Sequence, residues 1–453
     1  MLLTIEKLVY GGDGLARLPA PSPADDRRQG KAVFVPFVLG GEQVEASLAD
    51  EKPGFVRARA VEIVQPAPHR TSPPCPYFAS CGGCHYQHAN YDHQLEIKRE
   101  ILRENLRRIA KLELQSEIQV HSSPPWHYRN RSRLQVRTRP EFAAGYFKLA
   151  SHEVLPVEQC PISSPLINRG IAALWQAGRA GKVVEGVREV EFFATGDAAG
   201  NEKQLLIEIY CAPEARRAAV RSWGEELCAS LPEIAGVVAF REPQKGVYEP
   251  LVAVGASEVI YHSKTDSWRV SAGSFFQTNR FLTDELIEIV TAGRSGELAL
   301  DLYAGVGLFS TFLARRFSHV VSVESSAPAA RDLGHNLPVN GRAVQIETEQ
   351  YLTGKRAARV GVAGAGDSTQ IPSDGKAPDL IVVDPPRSGL GDRVAAALAA
   401  NQAARITYVS CDPATLARDL GPLQAAGYRV EHIHLVDLFP QTYHLESVTQ
   451  LVR

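Results

Sequence analysis

The sequence has no long apolar run, few cysteines and almost no net charge. Across 453 residues, the longest apolar runs are short segments such as residues 234–240, whereas a membrane-spanning helix needs about 20 apolar residues. The start of the chain, MLLTIEKLVYGGDG, does not place a long apolar stretch after a basic one, as a secretory signal would. We therefore expect a cytoplasmic protein with no membrane partner.

The seven cysteines are an odd number and scarce for this length, and Cys75, Cys81 and Cys84 lie close together. This usage fits a metal site or catalysis better than a disulfide framework. The net charge of −2 gives no global sign of a nucleic-acid partner. The length predicts two or three domains, and we expect a monomer.

Three regions differ in their patterns. Residues 1–65 alternate short strands with glycine-rich turns, which indicates a small β-barrel. Residues 70–270 read as an α+β domain, in which a helical stretch within 93–122 could pack on the next domain. Residues 271–453 repeat strand, loop and helix, which predicts a Rossmann-like, doubly wound parallel sheet and an α/β fold class.

Two further segments, 19–30 and 361–378, read as exposed loops.

A cofactor loop is predicted at DLYAGVG, residues 301–307, between a strand and an expected helix at 308–317. Gly305 permits close approach of a ligand to the backbone, and Glu324 ends the next strand, where a carboxylate can accept hydrogen bonds from ribose hydroxyls. Position 310 is serine, so the third glycine of a dinucleotide site is missing. The pattern favours S-adenosylmethionine, which carries a ribose and no phosphate.

The motif Asp384-Pro385-Pro386-Arg387 follows the apolar strand LIVV. Its prolines would stiffen a loop at the carboxyl edge of the sheet, where open α/β sheets bind ligands. Methyltransferases that act on amino groups place an aromatic residue after the prolines to stack on the base. The arginine here disfavours that reaction.

Cys411 ends the strand that follows the Asp384 strand and precedes a helix, a placement that would lower the pKa of the thiol. A nucleophilic thiol suits methylation of C5 of uracil, because thiolate addition at C6 makes C5 reactive. The adduct must then lose its C5 proton to a base. Glu446 is the preferred base, and His444 is its rival.

A basic segment extends from Lys98 to Pro140, with eleven Lys or Arg against four Glu. Its five arginines in HYRNRSRLQVRTRP all have odd numbers, so an extended strand would place them on one face. A solvated surface is the plain alternative, but the nearby Trp126 and Tyr128 favour an RNA-binding surface. The predicted RNA contacts are Arg129, Arg131, Arg133, Arg137 and Arg139.

Together, DLYAGVG, DPPR, SCDPATLARDL, FPQTYHLE and GSFFQTN resemble the RNA (uracil-5-)methyltransferase family. The resemblance implies Cys411 as the nucleophile and Glu446 as the base. It also implies that S-adenosylmethionine is contacted by Gln277, Tyr303, Glu324 and Asp384, beside the loop glycine Gly305.

The N-terminal half carries its own resemblance. Residues 1–65 are similar to a TRAM domain, an OB-like RNA-binding barrel. The run from Cys75 to Cys84, completed by Cys160, resembles the four-cysteine iron–sulfur site of the bacterial ribosomal-RNA branch and implies a [4Fe-4S] cluster. From spacing alone, structural zinc stays open.

The expected reaction is S-adenosylmethionine-dependent methylation of a uridine in RNA, with 23S ribosomal RNA favoured and transfer RNA as the alternative. Two other readings stay open. One is a non-catalytic RNA-binding or assembly protein, and the other is a methyltransferase acting on a protein or a small molecule.

Overall fold

The structure is a computed structural model that describes residues 1–18, 30–244, 246–354 and 377–453. The predicted loops at 19–30 and 361–378 lie outside the described residues, apart from their last positions. Of the helices described below, none combines the length and the apolar character needed to cross a membrane.

The N-terminal region is a strongly curved sheet whose strands run in the order β1-β5-β6-β4-β3-β2. Alternating side chains such as Val33, Val35, Val44 and Val56 point inward and form a separate small core. The prediction of a small all-β unit here agrees with the observed strands. The strands are β1 (Leu2–Thr4), β2 (Lys7–Leu8), β3 (Asp13–Arg17), β4 (Ala32–Pro36), β5 (Gln43–Glu51) and β6 (Phe55–Gln65).

Helix α1 (Tyr91–Arg108) and strand β7 (Gln119–His121) come next in the chain. The side chain of Asn90 caps α1 by accepting a hydrogen bond from the amide of His93. Leu102 and Leu106 of this helix are fully buried, whereas Ile109, which follows its last residue, is 46% exposed.

The central domain is an antiparallel sheet with one parallel pair, in the order β10-β9-β8-β11-β12-β13-β14, and a hairpin, β15-β16. Helices α2 and α3 cover one face of the sheet through a core that includes Ile171, Leu174 and Trp223. The elements are β8 (Arg131–Arg137), β9 (Ala143–Phe147), β10 (Val154–Pro156), α2 (Pro165–Arg179), β11 (Val187–Gly196), β12 (Glu202–Cys211), α3 (Arg217–Ser230), β13 (Ile234–Gln244), β14 (Val247–Gly255), β15 (Glu258–His262) and β16 (Ser267–Ser271).

The C-terminal domain is the expected Rossmann-like sheet, with strand order β19-β18-β17-β20-β21-β23-β22-β7. Strands β19 to β21 in this order are parallel, and β23 lies antiparallel between β21 and β22. The elements are α4 (Thr283–Thr291), β17 (Gly296–Leu302), α5 (Ser310–Leu313), β18 (Phe317–Glu324), α6 (Ala327–Asn336), β19 (Gly341–Gln345), α7 (Thr348–Leu352), β20 (Leu380–Val383), α8 (Gly391–Ala400), β21 (Arg405–Ser410), α9 (Pro413–Ala425), β22 (Arg429–Val436) and β23 (Glu446–Val452).

Two segments from outside residues 271–453 complete this sheet and its core. Strand β7 pairs in parallel with β22 at the sheet edge. Ile101 and Leu106 of α1 pack in one core with Leu420 of α9 and Ile406 of β21. Helix α1 and strand β7 thus belong to the core and the sheet formed by residues 271–453, although they precede them in the chain.

Candidate active site

Cys411 and Glu446 lie side by side at the end of two paired strands. Strand β21 ends at Ser410 and β23 begins at Glu446, and the antiparallel register places Ser410 opposite Ser447. The next residues outward are Cys411 on one strand and Glu446 on the other. Glu446 is 5% exposed, and its Oε1 has no hydrogen-bond partner. A thiol and an unpartnered carboxylate thus share one edge of the sheet.

The expectation that the helix N-terminus lowers the pKa of the Cys411 thiol is wrong for this structure. Burial, followed by the nearby carboxylates of Glu446 and Asp384, raises that pKa to about 12. The N-terminus of α9 offers the thiol little help, because the Asp412 carboxylate already accepts hydrogen bonds at 2.9 Å from the amides of Ala414 and Thr415. The free protein therefore holds Cys411 as a thiol.

Glu446 and His444, the two candidate bases, differ in their electrostatics. Burial and the carboxylate of Asp384 raise the pKa of Glu446 well above its usual range. Burial and the guanidinium of Arg387 lower the pKa of His444 to about 3, and Nη2 of Arg387 lies 3.4 Å from Nε2 of the ring. The raised pKa makes the carboxylate of Glu446 a stronger base than an ordinary carboxylate, whereas the lowered pKa makes the imidazole of His444 a weaker base than an ordinary histidine.

The predicted cofactor loop has the backbone that its glycines suggest. Tyr303 and Gly305 both take a left-handed conformation, with φ of 65° and 56°. The carboxylate of Glu324, at the end of β18, accepts hydrogen bonds from the amides of Gly305 at 2.9 Å and Ser326 at 2.7 Å. No heavy atom lies within 4 Å of the place where a side chain at Gly305 would project. The loop therefore leaves its backbone open beside a fixed carboxylate, as a nucleoside ligand requires.

Two more acids lie below this loop. Asp301 is fully buried, with Oδ2 bonded to the Ser310 hydroxyl and Oδ1 without a partner. Burial raises the pKa of Asp301 to about 7, and burial with the charge of Asp301 raises that of Asp384 to about 7. Gln277 is buried before α4 at 8% exposure. The helix expected at 308–317 is shorter than predicted, because α5 covers only Ser310–Leu313.

Comparisons with known proteins show which family the chain resembles. Residues 256–453 match the family model described as tRNA (Uracil-5-)-methyltransferase. An uncharacterized RNA methyltransferase of Aquifex aeolicus is 32% identical, over 99% of this chain and 97% of its own length. One of Streptomyces avermitilis is also 32% identical, over 99% and 96%.

The chain belongs to the RNA (uracil-5-)methyltransferase family. It is a methyltransferase that uses S-adenosylmethionine and acts on RNA. A solved structure, the Pyrococcus abyssi tRNA (uracil-54, C5)-methyltransferase in complex with S-adenosyl-L-homocysteine, shares the fold over 100% of both chains, with a TM-score of 0.72 and 24% identity.

In this methyltransferase the four predicted ligand cysteines line one cavity of about 50 Å³. Burial, with the proximity of Cys160, raises the pKa of the Cys81 thiol to about 11 and that of Cys84 to about 12. Tyr146 and Arg129 complete the wall of the cavity. Within the described ranges, no group of three or more His, Cys, Asp or Glu is disposed to hold a metal ion. The fold thus places all four cysteines in the wall of the same cavity.

The predicted arginine row lies on one face of β8, but that face is not an open basic surface. Strand β11 places Glu191 directly opposite Arg133, and this carboxylate pairs with both Arg131 and Arg133. Arg131 is 8% exposed and also bonds Glu208 at 3.0 Å. The prediction of an RNA contact is therefore wrong for Arg131, because acidic partners neutralise it inside the protein.

The other three arginines of the row have different surroundings. Arg129 lines the cysteine cavity. Arg137 is exposed and donates only a long hydrogen bond, of 3.5 Å, to the carbonyl of Glu141. Arg139 has a side chain that is 77% exposed and pairs with Glu185, whose side chain is 67% exposed. Arg137 and Arg139, at the C-terminal end of the row, face solvent, and the paired Arg133 has a side chain that is 37% exposed.

The loop before Glu446 is held largely by parts of the chain far from it in sequence. Lys98 of α1 donates a hydrogen bond to the carbonyl of Phe439 at 2.9 Å, and Tyr128 donates one to that of Pro440 at 3.0 Å. The amides of His85 and Tyr86 donate to the carbonyl of Gln441 at 2.8 and 3.0 Å. Gln94 and Gln441 also exchange two hydrogen bonds. Helix α1 and the residues that follow Cys84 thus fix the position of the loop before Glu446.

Sequence reasoning missed three aromatic residues at the site. The rings of Tyr10 and His85 both contact the ring of Tyr443, with centroids 5.5 and 4.6 Å away. Tyr10 belongs to the turn Tyr10-Gly11-Gly12-Asp13, whose glycines gave a turn signal and nothing more. No local pattern could show that this turn meets Cys411.

Proposed function

We propose that this methyltransferase makes 5-methyluridine in RNA through a covalent adduct between Cys411 and C6 of the target uracil. The observation that carries the proposal is the adjacency of Cys411 and Glu446 at the ends of β21 and β23, with the Glu446 carboxylate buried and unpartnered. Methylation at an unreactive carbon needs a nucleophile and a base within reach of one ring.

The steps balance with these two side chains. The S–H proton of Cys411 passes to solvent water, and Sγ bonds to C6 as the C5–C6 double bond becomes an enolate. When bound, S-adenosylmethionine would supply a sulfonium methyl group to C5, with the S–CH3 bond breaking and S-adenosylhomocysteine as the leaving group. Glu446 removes the proton from C5, and the Sγ–C6 bond breaks as the C5–C6 double bond returns. The raised pKa of Glu446 makes its carboxylate a stronger base for this proton.

The residues of the cofactor loop fit S-adenosylmethionine. Glu324 would hold the ribose hydroxyls, and Gly305 leaves room for the nucleoside above the backbone. Tyr303, Gln277 and Asp384 would complete the site, as the resemblance implies. The unpaired buried carboxylate oxygen of Asp301 lies beneath this loop and would support it by holding backbone or water.

We propose ribosomal RNA as the substrate, and 23S RNA in particular. The support is the combination of an N-terminal barrel with four cysteines around one cavity, which resembles the ribosomal branch of the family. Transfer RNA is the second candidate, because the matching family model carries that substrate in its description. The exposed Arg137 and Arg139 are the members of the arginine row that would contact phosphates.

We also propose that the cysteine cavity holds a [4Fe-4S] cluster. Thiols with raised pKa values are poor isolated anions, and a bound metal group would stabilise their thiolates. The cysteines surround a cavity, whereas a single zinc ion needs four sulfurs at about 2.3 Å from one point. Iron and acid-labile sulfide in anaerobically purified protein would support the cluster, and stoichiometric zinc without iron would reject it.

Trapping with RNA that contains 5-fluorouridine tests the reaction. With S-adenosylmethionine present, the wild-type protein should form a stable protein–RNA adduct, because fluorine at C5 cannot leave as a proton. Cys411→Ala should form none. Glu446→Gln should form an adduct even with ordinary uridine, since release is blocked. An adduct that survives in Cys411→Ala would reject the mechanism, and absence of any adduct in the wild type would favour a non-catalytic RNA-binding protein.

The substrate is tested separately. Mapping 5-methyluridine in ribosomal and transfer RNA from a deletion strain, before and after complementation, shows which RNA loses and regains the modification.

A further inference from the structure

The N-terminal barrel inserts one side chain into the catalytic edge. The turn between β2 and β3 is closed by hydrogen bonds from the amide of Val9 to the carbonyl of Asp13 and from that of Gly12 back to Val9. At its tip, the hydroxyl of Tyr10 donates a hydrogen bond to the carbonyl of Cys411 at 3.1 Å, across 401 positions of sequence. This bond joins the barrel to the residue that carries the nucleophile.

The Tyr10 ring is surrounded by residues of the candidate active site. The ring is partly buried and meets the Tyr443 ring edge-on. The charges of Asp412 and Arg387 act on the Tyr10 hydroxyl, together with Cys411 itself. Tyr10 is therefore next to the thiol, the DPPR loop and the loop that leads to Glu446.

Several contacts hold the turn that carries Tyr10 in place. Lys7 of β2 pairs with Glu104 of α1 at 2.6 Å. Gly12 has φ of 96°, and a side chain there would lie 3.1 Å from Cβ of His85. A close approach between the barrel and the cysteine segment thus requires glycine. A second ion pair, between Nε of Arg70 and Oε1 of Glu42 at 2.5 Å, joins the barrel to the segment that follows it. The barrel presents Tyr10 from a fixed position.

We propose that Tyr10 is a positioning residue for methyl transfer, with two tasks. Its hydroxyl holds the carbonyl of Cys411 and so fixes the turn that carries the thiol. Its ring, together with that of Tyr443, forms an aromatic wall for the extruded uracil. Aromatic rings are suited to this task because every base has a face that can stack. The proposal rests on the covalent reaction at Cys411 proposed above.

The two tasks predict different effects of two substitutions in the full-length protein. Tyr10→Phe keeps the ring and loses the hydrogen bond. We expect kcat to fall about three- to tenfold, the range for one lost hydrogen bond, with KM for RNA unchanged. Tyr10→Ala also loses the ring, and we expect KM for RNA to rise about tenfold or more, as for a lost stacking contact. The RNA used is ribosomal and transfer RNA from a strain that lacks the enzyme.

A measurement without RNA separates this proposal from the one on which it rests. In the RNA-free protein, Tyr10→Phe should make Cys411 react several-fold faster with iodoacetamide, because the turn is released, while methyl transfer becomes slower. Tyr248→Phe is the matched control, since Tyr248 is 44% exposed on β14 and should change neither rate.

Several results would overturn the proposal. If Tyr10→Phe keeps the alkylation rate and the kcat of the wild type, the hydroxyl does not fix the turn that carries the thiol. If Tyr10→Ala keeps the KM for RNA, the ring does not form a wall for the uracil. Loss of S-adenosylhomocysteine binding in Tyr10→Ala would show that the residue only supports the fold. Faster alkylation in Tyr10→Phe supports the first task even if the trapping experiment finds no adduct, in which case the proposed reaction alone has failed.

Discussion

In the free protein, Cys411 should be an unusually unreactive thiol, although its role is that of a nucleophile. Burial and the carboxylates of Glu446 and Asp384 raise its pKa from the usual 9.0 to about 12. At pH 8, about one molecule in ten thousand would carry a thiolate, against about one in ten for an ordinary cysteine. The thiolate population is thus about a thousandfold smaller.

Reactivity falls by less than this population, because a more basic thiolate is a better nucleophile. With a Brønsted coefficient of about 0.4–0.5, three units of pKa raise the intrinsic rate about 15- to 30-fold. The net expectation at pH 8 is alkylation about 30- to 60-fold slower than for a cysteine in an unstructured peptide. The rate should continue to rise about tenfold per pH unit through pH 10, with no plateau.

The assay is alkylation of the RNA-free protein by iodoacetamide, with modification of the Cys411 peptide followed by mass spectrometry. Glu446→Gln removes one of the carboxylates that raise the pKa, so alkylation should be faster. Each unit by which the pKa falls should raise the rate about threefold. Glu258→Gln, on the exposed hairpin strand β15, is the control. A titration midpoint below pH 9, or an unchanged rate in Glu446→Gln, would refute this electrostatic account.

Three further predictions concern the buried ion pair, the cofactor loop and the arginine row. Lys98 and Asp437 form an ion pair in which both side chains are 0% exposed, so Lys98→Met leaves a buried carboxylate without its cation. We expect the free energy of unfolding by urea to fall by about 3–5 kcal/mol, and to be largely restored when Asp437→Leu is added. Equal losses in the single and the double variant would contradict this. Gly307→Ala places a Cβ 2.9 Å from a leucine side chain on a left-handed backbone, which should cost about 1–2 kcal/mol and weaken S-adenosylhomocysteine binding in calorimetry. Arg131→Met should lower the urea midpoint of unfolding and leave the affinity for RNA unchanged. Arg137→Ala should weaken RNA binding and reduce by about 1 the slope of log affinity against log salt concentration. The reverse pattern would reject our assignment of these arginines.

The sequence is sufficient to predict the order of the catalytic elements. The meeting of Cys411 with Glu446 also requires β23 to run antiparallel to β21, so that the first residue of β23 lies beside the carboxyl end of β21. Apolar strands that alternate with helices define a parallel sheet, and residues at the carboxyl ends of neighbouring strands must share an edge. Glu324 and Gly305 follow from the same rule, since they flank adjacent strands β17 and β18.

What could not be predicted depends on long-range pairing. The arginine row has the expected periodicity, but its partners Glu191 and Glu208 come from strands whose register no local pattern specifies. The sequence predicts the pKa of Cys411 from one helix terminus, whereas burial, followed by the carboxylates of Glu446 and Asp384, raises it in the folded protein. Tyr10 reaches the site only through the docking of a whole domain.

The three carbonyls of Phe439, Pro440 and Gln441 are each bonded by donors that lie more than 300 positions earlier in the chain. Residues 256–453, although they match a family model alone, would as a fragment lack these donors and the edge strand β7. A chimaera that joins this half to the N-terminal half of a distant relative would have to keep Lys98, Tyr128 and the backbone around His85 in register. Any exchange of one half of the chain would therefore have to preserve these bonds.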